Sequence, residues 1–369
     1  MKRIYLASPH MSEGKFEEAF VQEAFDTNWV APLGKNVDEF ETEVSHLLGG
    51  RPCVALSSGT AAMHLALKNL GIQEGDYVFC QSLTFSASAN PIVYEKAIPV
   101  FIDSEKETWN MDPVALREAF KTYTPKAVIV VHLYGITAKI DEIRTICAEY
   151  QVPLIEDAAE SLGTIYQNQW TGTFGQQAIL SFNGNKIITT SGGGMLVTSQ
   201  EEQASFSRFL ATQARDQAPH YQHSHIGYNY RMSNICAGIG RGQLQVLEER
   251  IAQKRYIHQR YLEGFSDIED ISLLSERLGE RSNYWLSAIQ ITSENVRPSM
   301  LMEALAKENI ESRPVWKPMH LQPVFEDAPF FGGEVAADLF ENGLCLPSDT
   351  KMTDEDIDKI IGIIRSFWE

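Results

Sequence analysis

Short apolar runs alternate with stretches of helical spacing from about residue 50 to 200. Six runs read as strands: 77–80, 99–103, 127–133, 153–157, 178–182 and 195–199. Between them Met63, Ala66, Leu67 and Leu70 recur at the period of a helix, with Gly71 placed to end it. Ile143, Ile146, Cys147 and Tyr150 repeat the pattern. Such alternation predicts an α/β fold, a mostly parallel sheet with helices on both faces. Ligands in that architecture sit beyond the carboxyl ends of the strands. A helical stretch over 236–263 leads to a second α/β pattern, with a strand at 287–292, a helix at 298–308 and a terminal helix at 354–368. The expected division is a large domain over 1–245 and a smaller one over 246–369, as suits a chain too long for one core.

Composition narrows the class. Hydrophobic residues make up 44% and charged residues 22%, the balance of a globular protein. A formal charge of −18 excludes a broad basic face for nucleic acid. An anionic small molecule stays open, because a few arginines and helix N-termini suffice locally. Cysteines 53, 80, 147, 236 and 345 are scattered, with no Cys-x-x-Cys pair, as expected of buried thiols in a reducing compartment. No run approaches the length of a signal peptide core or a membrane span, so a cytoplasmic protein without membrane contact is expected. His220, His223 and His225 lack matching acids or cysteines, and no metal site is expected.

The candidate chemistry lies at strand ends. Lys186 follows the run 178–182 and enters a Thr/Ser/Gly stretch, where a lysine can form a Schiff base with an aldehyde cofactor. The run 153–157 ends in Glu156-Asp157. One amine and one carboxylate at neighbouring strand ends are the protein groups that pyridoxal phosphate needs, Asp157 holding the proton of the pyridine nitrogen. Ser58-Gly59-Thr60 enters a helix and can cradle a phosphate or simply cap the helix. Phe85 can stack on a ring or belong to the core. Glu160 can reach the ring hydroxyl or the amine, or act as a capping-box partner. Ser181 can donate to a phosphate.

With those residues in place, the chain resembles the DegT/DnrJ/StrS family of sugar-nucleotide aminotransferases over essentially its whole length. The matching blocks are Ser58 to Ala62, Thr84 to Ser88, Glu156 to Ala159, Gly172 to Gly175, Ser181 to Gly194 and Gly227 to Asn234. The resemblance implies the aspartate-aminotransferase type of pyridoxal phosphate fold (fold type I) and a homodimer with active sites shared between subunits. It assigns the cofactor's covalent bond to Lys186, its ring nitrogen to Asp157 and its ring face to Phe85. Gly59, Thr60 and Ser181 would hold its phosphate, Ser58, Asn183 and Glu160 would also belong to the cofactor site, and Asn229 would reach the phosphate of the other subunit's cofactor.

Within the family the resemblance is to the bacillosamine branch, through Ser8 to Met11, Ala31 to Gly34, Glu160, Asn183 to Lys186 and Arg313 to His320. That branch implies transfer of the amino group of L-glutamate to C4 of a UDP-4-keto-6-deoxy-N-acetylhexosamine. Arg313, Trp316, Lys317 and His320 would then face the uridine diphosphate, and Asn28 and Trp29 the sugar. Other carriers, amination at C3, a deoxysugar dehydratase and a regulatory homologue without activity are the competing expectations. Histidine in place of the lysine would mark the dehydratase.

Overall fold

The computed structural model describes residues 2–368. Its large sheet has eight strands in the order Cys53–Leu56, Gly194–Thr198, Gln177–Ser181, Leu154–Asp157, Ala127–Val131, Tyr77–Gln81, Ile98–Ile102 and Phe330–Phe331. Only Gly194–Thr198 runs against its neighbours; the pairings from Gln177–Ser181 onward are parallel. Inner strands such as Ala127–Val131 and Gly194–Thr198 are buried at every position, which explains why they read as largely apolar runs. Val54, Leu65 and Ile129 pack in one layer; Phe79, Val130 and Ile143 pack in the layer on the other side. The helix Gly59–Asn69 ends as expected, with Gly71 at φ 66°.

A second sheet is antiparallel throughout, in the order Ile271–Leu273, Ser287–Ile291, Gly343–Leu346, Arg313–Pro314. Helices Leu247–Gly264, Pro298–Lys307 and Asp354–Arg365 share its core through Ile257, Leu301 and Ile360. Residues after 245 also serve the large sheet. Phe330–Phe331 forms its last strand, and Asp103 accepts the backbone N–H groups of Gly333, Val335 and Ala336.

Two helical expectations differ from the structure. The stretch expected over 236–263 is two helices, Asn234–Leu244 and Leu247–Gly264. The first carries Gly238 and Gly242 into close packing with the helix Phe16–Asp26, and Gly240 against Phe40 of the helix Lys35–Leu47; a Cβ at Gly242 would lie 2.4 Å from the Glu17 nitrogen. The chain bends at Val246 to leave that contact. The terminal helix stops at Arg365, whose guanidinium bonds the Gly264 carbonyl and Asp267. Among the described residues no helix is long and apolar enough to cross a membrane.

Candidate active site

A cavity of about 940 Å³ opens at the carboxyl ends of the parallel strands and is walled by both sheets. Lys186 enters it from the loop after Gln177–Ser181. That loop folds back on itself, with the Phe182 N–H on the Gly193 carbonyl and the Thr190 N–H on the Phe182 carbonyl. The Lys186 side chain is 12% exposed. Its Nζ lies 3.7 Å from Glu160 Oε1 and 4.0 Å from the centre of the Trp285 ring.

Asp157 closes the next strand. Its Oδ2 accepts the Ser88 hydroxyl at 2.6 Å, and its Oδ1 accepts the Ala159 N–H at 3.2 Å. Burial raises its pKa above the usual carboxylate range, against the opposing pull of the Ser88 hydrogen bond and of Lys186. Glu160 is also buried and accepts the Tyr134 N–H at 2.6 Å. Burial pushes its carboxyl up to about 7, although Lys186 draws it down. No basic side chain pairs with Asp157 within 4 Å among the described residues, so a protonated ring nitrogen fits beside it.

Glu156 has a different role. It is wholly buried and accepts the N–H groups of Gly172 at 2.7 Å and Gly175 at 2.6 Å, with His132 Nε2 at 3.0 Å. It pins the Gly172 to Gly175 loop beneath the site.

The residues of the expected phosphate cradle line the cavity. Ser58 Oγ accepts the Ala61 N–H at 3.0 Å as the helix cap, which leaves its own O–H to donate to an anion. The free N–H groups of the first helical turn remain, with Thr60 and Ser181 beside them. A Cβ at Gly194 would stand 2.3 Å from the Gly59 nitrogen, so this neighbouring strand position must be glycine for the two to meet.

Phe85 is 59% exposed and lies 5.5 Å from Trp316, ring centre to ring centre. Trp316 is half-buried, its ring 5.3 Å from the Tyr134 ring, and its backbone N–H donates to the Tyr134 hydroxyl. Asn183, Arg313 and Lys317 line the same cavity, with Arg313 ion-paired to Glu311 at 2.8 Å.

Three residues expected at the cavity stand outside it, and Asn229, expected to reach the other subunit's cofactor, also lies outside this chain's own cavity. His320 is turned away from the cavity: its Nδ1 is 2.7 Å from the Ser82 hydroxyl, and its ring stacks on Phe330 at 3.8 Å. The short turn Met319–Leu321 is tied to the end of a central strand by the Met319 N–H on the Ser82 carbonyl, which fixes that orientation. Asn28 and Trp29 follow the first helix, outside the cavity, with Trp29 exposed. Asn229 lines a separate cavity of about 470 Å³ with Arg215 and Arg231.

Sequence reasoning passed over Trp285 and Asn185, which stand beside Lys186, and Tyr134, which binds Glu160 through its N–H. Trp285 donates its Nε1–H to the Asn185 carbonyl at 2.7 Å. Asn185 sits in the quoted lysine block and could have been singled out; Trp285 belongs to a distant segment without a local signal. Ser88 lay in the Thr84 to Ser88 block, but its bond to Asp157 depends on the tight turn Ser86–Ser88.

Comparison with known proteins agrees with this fold. EpsN of Bacillus subtilis (strain 168), whose name places it among the pyridoxal phosphate-dependent aminotransferases, is 51% identical over 98% of this chain and 95% of its own. The GDP-perosamine synthase of Escherichia coli O157:H7 is 35% identical over 100% and 99%. Among solved structures, the PLP form of Spr1654 from Streptococcus pneumoniae, titled a sugar aminotransferase, superposes with a TM-score of 0.92 at 25% identity, covering 99% of this chain and 98% of that one. A PMP form superposes equally well. The chain belongs to the DegT/DnrJ/EryC1/StrS aminotransferase family, whose profile matches residues 11–365. It is a sugar aminotransferase with the pyridoxal phosphate-dependent transferase fold, and pyridoxal phosphate is its cofactor.

Proposed function

We propose that this enzyme moves the amino group of L-glutamate to the C4 keto group of a UDP-4-keto-6-deoxy-N-acetylhexosamine, giving the 4-amino sugar nucleotide and 2-oxoglutarate. The observation that carries the chemistry is the convergence of Lys186 and Asp157 at adjoining strand ends in one cavity. When bound, pyridoxal phosphate supplies an aldehyde for covalent linkage and a ring that accepts electrons. Asp157 holds a proton at the ring nitrogen, and Ser88 orients its carboxylate. Lys186 takes a proton from the substrate carbon and returns one to the carbon beside the ring. The first-turn N–H groups at Gly59 and Thr60, with the Ser181 hydroxyl, bind the phosphate. Phe85 covers the ring. Arg313, Trp316 and Lys317 offer cations and an aromatic face to a nucleoside diphosphate. His320 is not part of this proposal, because its ring is engaged by Phe330 and Ser82.

The working unit is proposed to be a homodimer acting in the cytoplasm. Asn229 lies outside the Lys186 cavity and is available to the partner's site. Exposed Phe25, Trp29, Val30 and Leu33 provide apolar surface for that contact.

A second reading has its own support. A relative covering the whole chain is named a GDP-perosamine synthase, so a GDP-linked keto sugar is the competing acceptor. The test incubates the enzyme with L-glutamate and UDP-, GDP- and dTDP-linked 4-keto-6-deoxy sugars, then identifies products by mass and NMR. Amination of the UDP acceptor at C4 is expected; exclusive use of the GDP acceptor would replace the first reading by the second.

A further inference from the structure

We propose that Trp285 is a positioning residue that holds Lys186 in its ammonium form between the two proton transfers. This rests on the assignment of Lys186 as the cofactor lysine. The Nζ sits 4.0 Å from the indole centre, well inside the reach of a cation–π contact. Trp285 is buried and comes from the segment that enters the second sheet, whereas Lys186 follows a strand of the first.

The indole is fixed from several sides. Its Nε1–H holds the Asn185 carbonyl, next to Lys186. Its backbone N–H donates to Asn283 Oδ1, and its carbonyl accepts from the buried Lys254 Nζ, both at 2.9 Å. Asn283 in turn donates to the carbonyls of Glu160 and Leu162. Tyr284, between Asn283 and Trp285, takes a left-handed φ of 44°, a strained conformation for an aromatic residue. Gly135 makes room for the arrangement, since a Cβ there would lie 2.0 Å from Asn283 Oδ1. Backbone strain and a buried lysine are thus committed to presenting one ring face to one amine.

The charged groups facing Lys186 are Glu160 at 3.7 Å and, farther off, Asp157. Lys254 stands behind the Trp285 carbonyl. Glu160 changes protonation near neutral pH, so its attraction for an ammonium varies with conditions. The ring face does not titrate. It gives the protonated lysine a constant partner while that lysine carries a proton from one carbon to the next.

The test replaces Trp285 alone by tryptophans bearing one to four ring fluorines, which weaken the ring's attraction for a cation and leave its shape nearly unchanged. The full-length enzyme is loaded with pyridoxamine phosphate, so that Lys186 is free. It is then pulsed with trace acetic anhydride at pH 7.5, and acetylation of Lys186 is quantified by peptide mass. The proposal expects acetylation to rise stepwise, by about threefold or more across the series, because the neutral amine is the reactive form. A flat series, or a falling one, would overturn it, since packing alone is indifferent to fluorination. Enzyme loaded with pyridoxal phosphate is the control, in which Lys186 should be protected. Equal labelling in the two forms would instead remove Lys186 from its role, and this role of Trp285 with it.

Discussion

Ser88 donates its hydroxyl to Asp157 at 2.6 Å, and Thr84 stands behind it with its own hydroxyl 2.7 Å from Ser88. Two small side chains thus orient a buried carboxylate that, among the described residues, has no basic side chain within 4 Å. Ser88→Ala leaves one Asp157 oxygen without its donor. A hydrogen bond to a charged group is worth about 1.5–3 kcal/mol, so the dissociation constant for pyridoxal phosphate should rise about tenfold or more. Absorbance titration of the stripped protein measures this; an unchanged constant would show that Ser88 does not support the site.

Lys186→Ala and Lys186→Arg should abolish turnover while the fold persists. Arginine keeps the charge but cannot form the covalent link or give up its proton at neutral pH. Circular dichroism reports the fold, and borohydride treatment followed by peptide mass reports pyridoxyl on Lys186 in the parent protein. Residual turnover near the parent rate would place the reacting amine elsewhere.

Glu160 predicts a pH-dependent stability. Its carboxyl titrates near 7 in the fold against a reference of 4.5, so the native state holds that proton more tightly than the unfolded chain. The associated stability is complete below about pH 4.5 and is lost as pH rises through 7. Glu160→Gln keeps an oxygen for the Tyr134 N–H and removes the titration. Relative to the parent, the cofactor-free variant should gain on the order of 2–3 kcal/mol between pH 5 and pH 8. Denaturant unfolding at the two pH values reads it, and parallel pH curves would contradict it.

Asp103 binds the C-terminal part of the chain to the large sheet with both carboxylate oxygens. Oδ1 accepts from Ser104 and Ala336, and Oδ2 from Gly333 and Val335. Asp103→Asn keeps one acceptor and sets an N–H₂ against two backbone donors. A loss of about 2–3 kcal/mol is expected, visible as a lower urea midpoint.

Much of this architecture was legible because the inner strands are covered on both faces. Ala127–Val131 is apolar at every position, Leu154–Asp157 turns from apolar Leu154-Ile155 to acidic Glu156-Asp157, and the strand ends mark the site. The lysine, the aspartate and the phosphate loop could be read because each follows such a run within a few residues. Long-range contacts left no comparable trace. Nothing local marks Phe330–Phe331 as a strand of the large sheet, and nothing places Trp285 against Lys186. Ser58 shows a subtler limit: cap and phosphate ligand call for the same residue type, and the bond from Ala61 establishes the cap while leaving the hydroxyl hydrogen for a phosphate. The aromatic and basic character of Arg313 to His320 was plain, but which side chains enter the cavity depends on the turn at Met319–Leu321.

The pairing of Phe330–Phe331 with Ile98–Ile102 has a consequence for how the protein emerges from the ribosome. An early strand waits with an open flank until almost the entire polypeptide has been made. Throughout that interval it can zip onto a like strand from another nascent copy. Prematurely terminated products should therefore clump, and yield of active enzyme should depend on chaperone supply more than the finished molecule's stability would suggest.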